Sequence, residues 1–202
     1  MRRLIKLAVF LFLISSIIGI YNLFQDKHIL NENLVRLHVV ANSDSEEDQA
    51  VKLKIKDAIV EYLQPILQSI PTKEEAMQYI RENLSTLEAF SNSVLERLGV
   101  QDQASVTLQP EAFSRRDYDT FSLPAGIYDA LRIEIGEAEG KNWWCVVFPS
   151  LCLPATQSDM KDAAVSAGFS ESLSNTITNK SGYRVRFFLL DCLGRLENLF
   201  YK

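Results

Sequence analysis

The chain has 202 residues, of which 47% are hydrophobic and 23% are charged. These proportions are those of a folded globular protein, and they exclude disordered and collagen-like chains. The formal net charge of −5 argues against sequence-independent binding to nucleic acid, which needs a cationic face. Two histidines and three cysteines leave few ligands for a metal centre, so we predict no metal ion and no small-molecule cofactor.

The N-terminal segment, residues 1–24, predicts export. Arg2, Arg3 and Lys6 precede the 18 uncharged residues 7–24. A basic start before an apolar stretch is typical of a secretory signal peptide, and this stretch is also long enough to span a membrane as a signal-anchor. No small residues mark a clear cleavage site, so cleavage and retention both stay open. The positive-inside rule leaves the basic end in the cytoplasm and the rest of the chain outside.

Residues 25–33 are predicted to be a polar tether, and residues 34–202 a single extracytoplasmic domain. Alternating hydrophobicity predicts strands, and a glycine-bounded turn predicts that the last two pair as a hairpin. The element order predicts an α+β fold, an antiparallel sheet of about four strands with helices packed on one face. The predicted strands are 34–40, 104–112, 126–135 and 143–148; the predicted helices begin at Ser45 and Thr72 and cover 158–168 and 183–201, with a polar loop over 170–182.

The chain lacks the sequence motifs of common hydrolases, metalloproteases and nucleotide-binding proteins. His38 and Cys145 are the one nucleophile–base pair available, but a cysteine inside an apolar strand is usually packed and inert. The acidic run 44–48 lacks the glycine and distal glutamate of a calcium loop. Acidic residues are favourable at a helix start, and Ser45 with Asp48 predicts a helix cap. We therefore predict no catalytic and no metal-binding residues.

Adjacent tryptophans, Trp143 and Trp144, lie in one predicted strand, where successive side chains point to opposite faces of the sheet. Only one of them can enter a given core. An exposed tryptophan beside Tyr128 is typical of a protein-binding hot spot. Packing against a helix is the alternative, and the sequence leaves both open.

Cys145 and Cys152 are seven positions apart across Pro149. Outside the cytoplasm thiols oxidise, so a short-loop disulfide is one interpretation. It requires the chain to reverse at Pro149, because in a straight strand the two residues would lie about 23 Å apart. Two buried free thiols are the alternative, and both stay open. Cys192 is predicted to be unpaired and packed in the last helix.

Five blocks of sequence carry a resemblance to a known family, and two of them are short: E-D-Q at residues 47–49 and L-K at residues 53–54. Residues 34–44 are L-V-R-L-H-V-V-A-N-S-D, residues 123–132 carry L-P-A-G-x-Y-x-A-L-R, and residues 140–152 are G-K-N-W-W-C-V-V-F-P-S-L-C. In this order and spacing they closely resemble the stage II sporulation protein R family over about residues 34–152. The family's cysteine pair falls on Cys145 and Cys152. The other motif residues, structural or binding, are Arg36, His38, Asn42, Ser43, Asp44, Asp48, Pro124, Gly126 and Asn142.

The resemblance implies an exported signalling protein of endospore formation that is not itself an enzyme. Proteins of this family are made in the forespore and exported into the space between the two membranes. There they are required to activate a membrane-embedded aspartic protease of the mother cell, which processes a mother-cell sigma factor precursor. The expected partner is that protease. The expected location is the forespore–mother cell intermembrane space, with the chain either membrane-anchored or secreted.

A signal without catalytic residues acts through a surface, and we place this surface on residues 115–128 and 132–144. Arginine and aromatic side chains interrupt an acidic domain there, although solvated charges are the alternative for Arg115 and Arg116. An exported cell-wall-acting hydrolase is the alternative function. It would need paired carboxylates about 5 or 6.5–9.5 Å apart, such as Asp44, Asp48 or Glu134. The predicted partner-binding residues are Arg115, Arg116, Tyr118, Tyr128, Arg132, Trp143 and Trp144.

Overall fold

The computed structural model describes residues 2–118, 121–149, 165, 169, 171–178 and 185–201. Within them, the helices are α1 (Arg2–Asn33), α2 (Glu46–Leu67), α3 (Lys73–Glu82), α4 (Leu84–Arg97), α5 (Glu171–Thr178) and α6 (Val185–Phe200). The main sheet contains β1 (Val35–Val40), β2 (Ala104–Phe113), β5 (Gly126–Ile135) and β6 (Asn142–Phe148). A separate hairpin contains β3 (Arg116–Asp117) and β4 (Ser122–Leu123). The predicted α+β class and four-stranded sheet are confirmed.

The sheet is mixed, so the prediction of a purely antiparallel sheet is wrong. Its strand order is β2–β5–β1–β6. β1 pairs in parallel with β5 and antiparallel with β6. The predicted hairpin of β5 and β6 does not form, because β1 lies between them. All six residues of β1 are buried, which favours a place in the interior of a sheet over an edge.

One face of the sheet is covered by α2, α3 and α4 through an apolar core. The starts of these helices follow from the sequence. Ser45 caps α2 by accepting a hydrogen bond from the backbone N–H of Asp48 at 3.1 Å, and Thr72 caps α3 in the same way. Gly99 ends this helical region with a φ of 75°, the left-handed conformation that a helix stop requires.

Helices also cover the opposite face of the sheet, whereas we predicted helices on one face only. Leu173 and Ile177 of α5 are buried there, with exposed fractions of 0% and 1%. The residues of α5 are polar enough to predict a loop, and this helix forms because its two apolar side chains, four positions apart, meet a second core. The buried members of that core are Leu30, Leu34, Phe113, Phe121, Leu123, Tyr128, Ala130, Val146, Phe169, Leu173 and Ile177.

The last helix, α6, is confirmed and crosses the second face at close range. A Cβ atom on Gly194 would lie 1.6 Å from the carbonyl oxygen of Ala125. One turn earlier, Asp191 accepts a hydrogen bond from the backbone N–H of Ala125 at 2.9 Å. Glycine therefore permits a helix–backbone contact that any side chain would block. Cys192 is free and exposed, where packing was predicted.

α1 is the one described helix long and apolar enough to cross a membrane, and none of its most apolar window is buried. It is compatible with export or with membrane anchoring. Residues 25–33, predicted to be a tether, instead form the last turns of this helix. Leu30 is fully buried in the second core, and Lys27 pairs with Glu197 of α6 at 2.7 Å. These contacts dock the end of α1 on the domain.

Candidate binding site on the charged face of the sheet

The side chains of β1 alternate between two environments. Leu37 and its alternate neighbours enter the core under α2–α4, while Arg36 and His38 point to the opposite side. Because β1 is central in the sheet, both polar side chains are buried, with exposed fractions of 0% and 4%. We call the side of the sheet that carries Arg36 and His38 the charged face.

His38 lies between Glu111 of β2 and Asn142 of β6. Its Nδ1 atom is 2.8 Å from Oε1 of Glu111, and its Nε2 atom is 2.8 Å from Oδ1 of Asn142. Both ring nitrogens of His38 are therefore engaged in hydrogen bonds. The indole of Trp144 stacks on the imidazole with ring centroids 5.5 Å apart. The histidine is therefore fixed on three sides.

Arg132 of β5 extends this network. It donates to Oε1 of Glu111 at 2.7 Å and to Oε1 of Glu134 at 2.6 Å. Burial alone would raise the pKa of Glu111, but the hydrogen bond and charge of His38, together with the Arg132 guanidinium, hold that pKa below its usual value. Glu111 is thus a carboxylate engaged by two partners, whereas a catalytic acid needs a raised pKa.

Arg36 is packed among aromatic rings. Its guanidinium lies 3.9 Å from the ring centroid of Phe113 and 5.2 Å from that of Tyr128. Its Nη2 atom donates to the hydroxyl of Tyr118 at 2.7 Å. The Nε and Nη1 atoms have no hydrogen-bond partner. Among the described residues, no carboxylate pairs with this buried cation.

Arg116, at the start of the β3–β4 hairpin, brings a second guanidinium to the charged face. It lies over Trp144 at 3.4 Å from the ring centroid, and its Nε atom is also buried without a partner. Burial lowers the pKa of Arg116, and the positive charge of Arg36 acts in the same direction. The structure thus joins four predicted residues, Arg36, Arg116, Tyr118 and Trp144, into one aromatic and cationic cluster.

The family model for stage II sporulation protein R matches residues 31–158 of the chain. The chain belongs to the stage II sporulation protein R family. Stage II sporulation protein R of Bacillus subtilis (strain 168) is 30% identical over 186 residues, which cover 83% of this chain and 83% of the relative. No solved structure matches significantly. The resemblance drawn from the five sequence blocks is confirmed, and membership makes this a sporulation signalling protein.

The family match covers β1 to β6, and with them the whole cluster on the charged face, but it ends before α5 and α6. Glu111 lies inside the match and was not predicted as a site residue. Its role depends on the pairing of β2 with β5, which sets it opposite Tyr128 and within reach of His38. No local signal in the sequence indicates that proximity.

The predicted partner-binding residues do not form one surface. Trp143 points to the side of α2, where it is 38% exposed and lies 5.0 Å from the Lys56 ammonium. The alternation that separates it from Trp144 was predicted. Tyr128 is only 2% exposed, so it supports the site from behind; burial raises its pKa. Arg115 pairs with Asp117 at 2.9 Å.

The family motif at Asn42 ties the start of α2 to the connection before β6. The side chain of Asn42 accepts a hydrogen bond from the backbone N–H of Glu137 at 2.9 Å and donates to Asp48 at 3.1 Å. Ser43 donates to the same Asp48 oxygen, and this bond is the main cause of a lowered pKa of Asp48. The turn therefore acts as a structural latch, consistent with the cap predicted there.

Two further contacts complete the latch. Asp44 accepts a hydrogen bond from the backbone N–H of Lys141 at 2.7 Å. Gly140 packs so closely that a Cβ atom there would lie 2.2 Å from the carbonyl oxygen of Ser43. In the motif block over residues 123–132, the Tyr128 hydroxyl donates to the carbonyl oxygen of Pro124 at 3.0 Å. Gly126 packs against the ring of Tyr128.

The hypotheses about the cysteines have different outcomes. Cys145 lies in the core under α2–α4, whereas the His38 ring lies on the charged face, so the two cannot act as a nucleophile–base pair. Cys152 lies outside the described residues, and its bond to Cys145 stays a prediction. Across the described residues, no group of three or more histidines, cysteines, aspartates or glutamates is placed to hold a metal ion.

Proposed function

We propose that this protein is an exported signal of endospore formation that activates a membrane-embedded aspartic protease of the mother cell. The activated protease would then process a mother-cell sigma factor precursor. Family membership over residues 31–158 carries the proposal. The apolar helix ahead of the folded domain supports export into the forespore–mother cell intermembrane space, with α1 kept as an anchor or removed.

The charged face is the contact surface that we propose. Arg116, Tyr118 and Trp144 are each partly exposed. Arg36 donates a hydrogen bond to Tyr118, His38 stacks on Trp144, and Arg116 lies over Trp144. Arginine and large aromatic side chains carry most binding energy in protein interfaces, especially when they are fixed in place. The rest of the exterior domain is acidic, so this cationic and aromatic cluster is also electrostatically distinct.

We propose a binding role and not a catalytic one. The carboxylates considered for a hydrolase each have a partner: Asp44 the backbone of Lys141, Asp48 the latch, and Glu134 the guanidinium of Arg132. Such groups fix loops and strands.

We also propose the Cys145–Cys152 disulfide, on the basis of the family's cysteine pair and the oxidising location. Peptide mapping without reduction would show it as a linked pair.

The full-length chain, the protease and the sigma factor precursor can be produced together in a bacterium that does not sporulate. We expect precursor cleavage only when all three are present. A charge in the apolar segment, Leu11→Arg, should block export and cleavage together. Cleavage without the chain, or no cleavage when the chain is exported, would contradict the proposal.

The surface is tested in the same assay by the double variant Arg116→Ala, Tyr118→Ala. It should still fold and be exported, but cleavage should fall at least tenfold because the binding cluster is lost. Arg97→Ala, an exposed arginine on α4 across the sheet, is the matched control and should cleave normally. Normal cleavage with the double variant would move the surface elsewhere, most simply to residues 42–48.

A further inference from the structure

Among the described residues, Arg36 has the largest number of buried side-chain atoms without a hydrogen-bond partner. Its side chain is fully buried, and its Nε and Nη1 atoms lack hydrogen-bond partners. Native proteins pair almost all buried polar groups, and an unpaired buried charge is far more unfavourable than an unpaired neutral group. A fold that keeps such a group is less stable than the same fold with an apolar residue there.

Arg116 strengthens the observation, because its Nε atom is buried and unpartnered as well. The nearest carboxylate in sequence, Asp117, accepts hydrogen bonds from Arg115 and Ser122 instead. Within the described residues, the two guanidinium groups therefore share a place that has aromatic walls and no counter-ion. Such a place has the donors and the charge that bind an anion.

We propose that Arg36 and Arg116 form a binding site for a carboxylate on an acidic side chain of a partner protein. The carboxylate oxygens accept hydrogen bonds from the open N–H groups of both arginines. This deepens the proposed function, on which it rests for the identity of the partner, the activated protease. The binding chemistry itself depends only on this chain.

The β3–β4 hairpin carries Arg116, and Tyr118 follows β3 directly. Tyr118 gives Arg36 its one hydrogen bond and stacks on Phe121 with ring centroids 4.4 Å apart. The hairpin has two residue pairs, Arg116↔Leu123 and Asp117↔Ser122, and the backbone N–H of Tyr118 donates to the carbonyl oxygen of Phe121 at 2.8 Å. Displacement of Tyr118 exposes the guanidinium of Arg36 to an incoming acceptor.

The enclosure favours a carboxylate over a lipid phosphate. The walls are the rings of Phe113, Tyr128 and Trp144. An aspartate or glutamate carries its charge at the tip of a narrow stem, which suits a site enclosed by rings. A lipid phosphodiester has substituents on both sides, so it is a poorer fit to such an enclosed site.

The first experiment measures the melting temperature of the full-length protein in detergent. Arg36→Met keeps the apolar contacts and removes the charge, so it should melt at a higher temperature than the unaltered chain. Arg132→Met is the matched control, because Arg132 pairs with two carboxylates, and it should melt lower. A lower melting temperature or unfolding of Arg36→Met would overturn the proposal, since Arg36 would then stabilise the fold by itself.

The second experiment measures binding through Trp144, which is the sole tryptophan in a Trp143→Phe background. At constant ionic strength, N-acetyl-aspartate amide should change the fluorescence saturably, N-acetyl-asparagine amide should not, and Arg36→Met should abolish the change. Equal responses to the two amides, or a response that survives Arg36→Met, would overturn the proposal. An Arg36-dependent response to anionic phospholipid vesicles alone would assign the site to lipid and overturn it too.

Precursor cleavage links the site to signalling. A stable, exported Arg36→Met chain should reduce cleavage at least tenfold, while normal cleavage would show that no partner carboxylate acts there during activation. If the unaltered chain gives no cleavage, the proposed function fails by itself. The melting and fluorescence experiments then still decide whether the carboxylate site exists.

Discussion

Arg36 and Leu37 are neighbours on β1, both have fully buried side chains, and they face opposite sides of the sheet. The side of Leu37 is covered by three helices through an apolar core. The side of Arg36 mixes a second core with a histidine, three arginines and two engaged glutamates. Burial by itself selects apolar residues, so the first face is explained by folding, whereas the second carries groups whose benefit lies in specific pairing or in binding.

The largest expected effect is on the apolar face. Leu37→Ala should lower the free energy of unfolding by about 3 kcal/mol, because it removes buried methyl groups and leaves a cavity under α2–α4. Urea unfolding of the full-length chain measures it. Arg36→Met, one position away, should shift the midpoint in the opposite direction. Two shifts of the same sign would remove the contrast between the faces.

The docking of α6 on the charged face should be almost as sensitive. Gly194→Ala places a methyl group where the carbonyl oxygen of Ala125 lies, so we expect a loss of about 2–3 kcal/mol in unfolding free energy. Cys192→Ala, on an exposed part of the same helix, is the control and should change stability little. A stable Gly194→Ala chain would show that α6 can retreat from the sheet without cost.

Glu111→Gln tests the polar network through pH. The folded state holds the pKa of Glu111 below its usual value, so its contribution is complete above the unfolded pKa and is lost as pH falls through the lower folded one. We expect the variant to lose about 1.5–2 kcal/mol at pH 7 and to show a flatter loss of stability below about pH 4.5. Glu96→Gln, exposed on α4, should keep the unaltered profile.

The smallest expected effect belongs to the cap of α2. Ser45→Ala removes the acceptor for the Asp48 amide and should cost about 1 kcal/mol. Thermal melting of the variant beside Ser85→Ala, an exposed serine in α4, measures the difference. An unchanged melting temperature would mean that the latch, with Asn42 and Ser43 on Asp48, holds the start of α2 without the cap.

The sequence by itself determined what depends on neighbours along the chain. Alternation in β1 separated Leu37 from Arg36 and His38, and alternation in β6 separated Trp143 from Trp144. Cap residues located the starts of α2 and α3, the apolar run located α1, and the motif blocks identified the family. These features are local because side-chain direction, capping and helical period are set within a few residues.

Only the tertiary structure decided which distant segments meet. β1 lies between β5 and β6 in the sheet. This position buries Arg36 and places His38 next to Glu111. The polar α5 became helical because a second core received Leu173 and Ile177, and Gly194 acquired its role from the backbone of Ala125. Strand pairing and close packing depend on contacts between residues far apart in the chain. Neither the alternation of hydrophobic residues nor secondary-structure propensity predicts these contacts.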